Sequence, residues 1–258
     1  MGTVEITLWQ LAAAYIFVII LLIIFKIRHI SKKKTLVLAT FRMTIQLLIA
    51  GYLLTLAFSH PSWWLTLTIF CGMLVYAGFT IRHRAPKQYR PIVSKAAFLG
   101  MICGTSIVMI YFLSLVLGVK PWYDTRSFIS IAGMIVANSM TGVLLCMNTL
   151  ISDVQQNRAF IEQSLMLGAS ASKAIKPSVD SAFTTAILPT ITNMLTMGII
   201  ALPGMMTGQI LAGVSPQLAV RYQIGIMLAI MGSTVLCTII FLGITSRKII
   251  KMEFDGIE

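Results

Sequence analysis

Carboxylates are the scarcest functional groups in this sequence. Eight Asp and Glu stand against twenty Lys and Arg in 258 residues, and charged residues make up only 11% of the chain. A soluble domain carries about a quarter. The eight acids are Glu5, Asp124, Asp153, Glu162, Asp180, Glu253, Asp255 and Glu258, and none falls inside a long apolar run. A proton-coupled carrier ordinarily needs an ionisable relay within the membrane, most often an acid. The pattern therefore disfavours a secondary transporter. The three histidines, His29, His60 and His83, lie between the apolar runs and show no metal-ligand spacing. Cys71, Cys103, Cys146 and Cys237 all lie inside apolar runs with no CxxC pair, which indicates neither a disulfide framework nor a zinc site. Walker A, GxSxG and HExxH patterns are missing, so the chain is expected to be no enzyme and to carry no ATPase of its own. The N-terminus also lacks a basic n-region and a small-residue cleavage site, and the first apolar run is expected to stay in the mature chain.

What the sequence has in abundance is apolar length. Hydrophobic residues supply 57% of the chain and the mean hydropathy is +0.89. Seven runs approach the roughly 20 residues needed to cross hydrocarbon: Ile6–Phe25, Leu36–Phe58, Trp63–Ile81, Ala96–Leu117, Phe128–Ile151, Ile187–Val214 and Tyr222–Thr245. The formal charge of +12 brackets these runs, which points to a bilayer as the partner and not to nucleic acid. Sixteen of the twenty Lys and Arg fall on one set of loops, three on the other, and Arg42 within a span. By the positive-inside rule the N-terminus faces out, the C-terminus is cytoplasmic, and so is the central polar stretch. Trp9, Trp63, Trp64, Trp122 and Tyr123 fall near the outer span ends, as an interfacial aromatic belt requires. The expected fold is an all-α polytopic membrane protein of the cell (inner or plasma) membrane. With no internal boundary in the pattern, residues 1–258 are expected to form a single transmembrane domain.

The central stretch, about 157–186, is the longest polar interval. Phe160, Ile161, Leu165, Leu167, Ala171, Ala174 and Ile175 recur at helical spacing. Gly168 supplies a left-handed cap between two short segments, and Pro177 keeps the second from running on unbroken. A helix, a turn and a second short helix are predicted, suited to docking on a soluble partner.

Within the spans the informative residues are few. Arg42 lies roughly 9 Å up the second span. It either snorkels to headgroups or meets Gln46, one turn on, in a water-filled path. The sixth span carries Pro203-Gly204 near its middle, where a helix kinks or unwinds. The segment beyond must complete the crossing or fold back. Such breaks either serve packing or mark a permeation site. Asn138, Asn193 and Gln209 are the polar groups expected to face an interior path. Met194, Met197, Met205 and Met206 suit soft ions, but are read first as adaptable core filler. Gly133, Ala137 and Ser139 are placed for close helix contact.

The segment Glu162-Gln-Ser-Leu-Met-Leu-Gly168-Ala-Ser resembles the EAA loop of ABC-importer permeases, although Gln163 and Ser164 replace its two alanines and the expected Leu-Pro arrives only at Leu188-Pro189. Together with RMTIQLLIAGY (Arg42–Tyr52), IAGMIVANSM (Ile131–Met140), ALPGMMTGQILAG (Ala201–Gly213) and AVRYQI (Ala219–Ile224), the pattern resembles the FetB-like, iron-export ABC permease family over nearly the whole chain. That resemblance implies a permease powered by a separate cytoplasmic ABC ATPase that binds the ATP and Mg, with no cofactor in this chain. It also implies a homodimer of permeases. Glu162, Leu165, Leu167, Gly168 and Ala169 would couple to the ATPase. Arg42, Gln46, Asn138, Asn193, Met197, Pro203, Gly204, Met205, Met206 and Gln209 are the candidate path. Family members are described as iron exporters in bacteria and as half of a nucleotide-sugar exporter in plants, so the cargo, and any metal site, stays open. A membrane sensor that transports nothing is the rival class.

Overall fold

The computed structural model describes residues 7–254. Ile6, the expected start of the first span, and the acids Glu5, Asp255 and Glu258 lie outside the described residues. Among the described residues everything regular is helical; the lone β-type pairing is an isolated bridge between Met197 and Ala201. The chain forms two compact units that divide between Pro61 and Ser62.

The first unit contains α1 (Leu8–Ala14), α2 (Ile16–Ile27) and α3 (Lys33–Ser59). Thr7 and Gln10 form a reciprocal capping box that starts α1. The Tyr15 and Thr44 hydroxyls hydrogen-bond between the start of α2 and α3. Arg42 and Gln46 are both exposed on α3.

The second unit contains α4 (Trp63–Arg84), α5 (Arg90–Tyr111) running on into a π-helical turn (Phe112–Leu117), α6 (Thr125–Gln156), α7 (Arg158–Met166), α8 (Ala171–Ala174), α9 (Lys176–Thr196), α10 (Gly204–Leu211) and α11 (Pro216–Glu253). Asp124 caps α6 by accepting from the Ser127 amide at 3.0 Å. Pro216 occupies the first turn of α11, where its missing N–H costs nothing. Among the described residues six helical stretches are long and apolar enough to cross a membrane: Trp9–Ile27, Lys33–Ser59, Trp63–Arg84, Lys87–Leu117, Thr125–Gln156 and Pro216–Glu253. Side chains such as Phe79, Ile110 and Leu228 point outward from the second unit, as lipid contact requires.

Lipid tails offer no hydrophobic reward for helix association, so small residues that let backbones approach must supply the packing. They do so at the centre of the second unit. On α5, Gly100 and Gly104 lie against α11, where an added Cβ would meet the Cys237 carbonyl oxygen at 2.9 Å and the Cys237 Sγ at 2.5 Å respectively. On α6, Gly142 is pinched between Thr234 of α11 and the Ala186 carbonyl of α9. The buried stripe Ser178, Ala182, Ala186, Thr190 continues this contact along α9. By contrast Gly133 has open space about it and Ala137 is exposed. Of the expected close-contact trio only Ser139 is buried, and it bonds Ser233 of α11 at 2.8 Å.

The expected sixth span, Ile187–Val214, is not one helix. Its first part is the end of α9, which begins at Lys176 and at 21 residues is about 31 Å long. Contacts with α11 show that α9 runs antiparallel to it: Val179 shares a cleft with Gly243, Ala186 lies level with Thr234 across Gly142, and Met197 meets Gln223. The helix therefore traverses the bundle before the interruption, although its composition is less apolar than that of the six long helices. The interruption itself falls at Met197–Pro203 and not within Pro203-Gly204. Gly198 takes a left-handed φ of 85°, and Pro203 becomes the N-cap of α10. The segment beyond packs as α10 against α11.

Candidate functional site

The central polar stretch forms the helix, turn and second short helix that the sequence predicts. α7 ends in a two-bond Schellman turn: the Gly168 amide donates to the Leu165 carbonyl at 2.9 Å, and the Ala169 amide to the Ser164 carbonyl at 3.0 Å. Gly168 has φ 84°, which only a residue without Cβ adopts freely. Ile161 is buried and Leu165 is half-buried against the core, so one face of α7 anchors it. The other face is unusual for a helix outside the bundle core. Phe160, Met166 and Leu167 are exposed, Leu167 to 88%. Glu162 and Ala169 are half-buried and Gly168 is exposed.

A polar network with no signature in the sequence holds this segment in place. Arg158, at the start of α7, donates from Nε to Glu162 Oε1 at 3.0 Å and from Nη1 to Glu253 Oε2 at 3.4 Å. Its Nη2 donates to the Glu253 carbonyl at 3.3 Å, and its guanidinium lies 5.7 Å from the centre of the Phe254 ring. Glu253 also accepts from the Tyr89 hydroxyl, and Gln155 of α6 donates to that hydroxyl at 3.4 Å. Tyr89 is fully buried in the short connection between α4 and α5. The Glu162 hydrogen bond raises the Arg158 pKa further above its usual value, so the cation persists at any physiological pH. The network ties α7 to the end of α11, to the end of α6 and to the α4–α5 turn. Beyond the i,i+4 pair of Arg158 and Glu162 no local pattern marks it, because Tyr89 and Glu253 stand 164 residues apart.

The path candidates are distributed unevenly. Arg42 and Gln46 belong to the first compact unit. Asn138 is half-buried and returns its amide to its own helix, donating to the Met134 carbonyl at 2.8 Å. Asn193 is exposed. The candidates around the α9–α10 interruption are more enclosed, Gly204 excepted. Met197 and Met205 pack against the core, Met206 is buried, and Pro203 is half-buried beside exposed Gly204. Gln223 of α11 is the residue not foreseen there. It is only 7% exposed, donates to the Met197 sulfur at 3.8 Å, and leaves its Oε1 without a partner. Gln209 Oε1 is likewise buried and unpartnered. Buried amide oxygens are costly when unsatisfied, and such groups at a broken helix are suited to receive a polar guest. Among the described residues no three His, Cys, Asp or Glu are grouped to hold a metal ion.

Comparison with known proteins extends these observations over the full length. The chain is 31% identical over 248 residues to the probable iron export permease protein FetB of Escherichia coli, covering 96% of this chain and 94% of that protein. It is 34% identical to the UPF0014 membrane protein YjkA of Bacillus subtilis, covering 90% of each. It is 33% identical to the protein ALUMINUM SENSITIVE 3 of Arabidopsis thaliana, covering 88% of this chain and 82% of that protein. No solved structure matches. The model of the uncharacterised protein family UPF0014 matches residues 8–250. With its six long apolar helices, this multi-pass membrane protein belongs to the UPF0014 family.

Proposed function

We propose that this chain is the membrane-spanning permease subunit of an ABC transporter, driven by a separate cytoplasmic ATPase, and that two copies form the path. The observation that carries the proposal is the tip of α7. An apolar cluster headed by Leu167 is exposed on a helix whose other contacts are rigidly specified. Exposed apolar surface beside a fixed turn suits a protein partner. Glu162, Leu165, Leu167, Gly168 and Ala169 form or support that docking surface. ATP and Mg are bound by the partner, and this chain contributes no cofactor.

The lever works through two connections. α8 leads through Ile175 into α9, so a displacement of the turn is delivered along the bundle to the Met197–Pro203 interruption. The Arg158–Glu253 contact delivers the same displacement to α11, which carries Gln223 opposite Met197. Closure of the ATPase would change the spacing of these two helices at their far ends. By relation to the E. coli protein, the cargo is a metal ion, iron, moved outward. The Gln223 amide and the Met197 thioether meet beside the interruption, and neutral ligands of this kind hold a metal ion less firmly than carboxylates would.

The test pairs docking with transport. Leu167→Glu should leave membrane insertion and the monodisperse detergent-solubilised form intact while abolishing co-purification of the ATPase. Inverted vesicles containing both wild-type subunits should accumulate Fe in an ATP-dependent manner, compared with Cu, Mn and nucleotide-sugars. Wild-type recovery of the ATPase by Leu167→Glu removes the docking assignment. Accumulation of a nucleotide-sugar in place of metal reassigns the cargo, and transport by this chain without ATP makes it a carrier.

A further inference from the structure

We propose that the cleft between the start of α9 and the end of α11 is a binding site for a phosphate group, supplied by an anionic lipid headgroup or by a soluble phosphate. The cleft has a volume of about 480 Å³ and is lined by Ser172 of α8, Lys176 of α9, and Gly243, Ser246, Arg247 and Lys251 of α11, over a floor that includes Ile175 and Ile250. Three cations therefore face one concavity that no carboxylate lines. Among the described residues none of the three is ion-paired, in contrast to Arg158 of α7. Two hydroxyls stand among them as neutral donors. The first turn of the 21-residue α9 adds the positive end of its dipole to the same concavity. Like charges gathered at one place repel, and a site of this kind is stabilised by an anion that neutralises them.

The height of the cleft favours phosphate over a carboxylate metabolite. The apolar run of α11 ends at Thr245 and the cations begin at Arg247, so the cleft opens where headgroup phosphates lie. Lys and Arg pockets between helices at this level recognise anionic headgroups, each cation contributing about fivefold in affinity. A diester or monoester phosphate offers acceptor oxygens to Arg247 in bidentate fashion while the lysines act as point charges. The apolar floor at Ile175 and Ile250 fits an acyl-linked glycerol better than a free ion, which is what the experiment separates. The inference is independent of the cargo and of the ATPase.

The experiment uses the full-length protein in neutral detergent, with native mass spectrometry counting bound molecules of short-chain phosphatidic acid, short-chain phosphatidylcholine or inorganic phosphate. Phosphatidic acid should bind and phosphatidylcholine should not. Lys176→Gln, Arg247→Gln and Lys251→Gln should each weaken binding about fivefold, and the triple variant about a hundredfold. Gly243→Leu keeps every charge but fills the cleft, since a Cβ there meets nothing within 4 Å; it should abolish binding too. If inorganic phosphate binds equally well and is lost in the same variants, the source is soluble phosphate. Undiminished binding in Gly243→Leu, equal loss on neutralising Lys32, Lys33 and Lys34 instead, or no binding of either phosphate probe each overturns the proposal. The single variants keep the question answerable should the triple variant fail to fold.

Discussion

Gly104 of α5 touches Cys237 of α11 so closely that a Cβ on Gly104 would lie 2.5 Å from the Cys237 Sγ and 2.8 Å from its backbone nitrogen. A rotamer change moves the sulfur but not the nitrogen, so the helices themselves must separate. Gly104→Ala is expected to lower stability by about 1–3 kcal/mol, the usual cost of overpacking. Gly133→Ala, with open space on α6, should be neutral or stabilise by up to about 1 kcal/mol through helix propensity. Thermal unfolding of the two purified variants in detergent checks the pair. Equal behaviour would mean that the α5–α11 contact does not hold the bundle.

A second prediction concerns the buried hydroxyl pair of Ser139 and Ser233, 2.8 Å apart. Removing the Ser139 hydroxyl leaves Ser233 with the Cys237 Sγ at 3.9 Å, and sulfur is a weaker partner than the lost hydroxyl. Ser139→Ala should cost about 0.5–1.5 kcal/mol, and the Ser139→Ala/Ser233→Ala double variant less than twice that. A double-mutant cycle from unfolding curves measures the coupling, and a coupling of zero denies that the pair contributes.

Legibility in the sequence follows the range of the cause. The turn at Gly168 is readable because a glycine after a helical run has one physical use, and φ 84° fulfils it. The bilayer-crossing runs are readable because a length of apolar side chains is a local property. The start of α9 is hidden because Lys176, Asp180 and a series of threonines lower its apolar content. Their hydroxyls are satisfied within the helix, as where Thr184 donates to the Asp180 carbonyl at 2.8 Å and Thr192 to the Leu188 carbonyl at 2.9 Å. Pattern alone puts the interruption at Pro203-Gly204 because proline is the stronger breaker in general. Here Gly198 turns the chain first, and Pro203 serves the next helix as its N-cap. Tyr89, Glu253 and Gln223 escape notice for a different reason. Their partners lie far along the chain or inside an apolar run, where spacing carries no information.

The Tyr89–Glu253–Arg158 network predicts how firmly α7 is held. Tyr89→Phe removes a partly buried hydrogen bond to a carboxylate, a class of bond that contributes roughly 1.5–3 kcal/mol. Hydrogen exchange of the amides in 158–166 should accelerate by about tenfold or more, with α5 and α6 amides unchanged. Transport should fall relative to ATP hydrolysis, because the lever slips while the motor turns. Unchanged exchange in α7 would assign the network to the α4–α5 turn alone.

At Gly168 the strain is in the backbone and not in crowding, since a Cβ there meets nothing within 4 Å. The left-handed region costs an ordinary residue about 1–2 kcal/mol, and Asn less. The expected order of ATPase co-purification is therefore wild type, Gly168→Asn, Gly168→Ala, Gly168→Val, with insertion unaffected in all four. A β-branched residue adds χ1 restriction to the backbone penalty. Retention by Gly168→Val at wild-type level would show that the Schellman turn is not read by the partner.

The last prediction concerns orientation, on which docking depends. In a variant whose exposed Cys71 and Cys103 are replaced by alanine, Gln163→Cys on α7 and Lys120→Cys in the turn before α6 provide one exposed thiol each. The two sites lie beyond opposite ends of α6, whose 32 residues span about 48 Å. A bilayer-impermeant maleimide should label Lys120→Cys in intact cells and Gln163→Cys only after permeabilisation, since eleven of the fourteen Lys and Arg of the second unit fall toward the end that carries α7. The reverse pattern would place the α7–α8 turn where no cytoplasmic ATPase reaches it. The exposed Leu167 would then need an extracytoplasmic partner, and the transport proposal would fail at its first step.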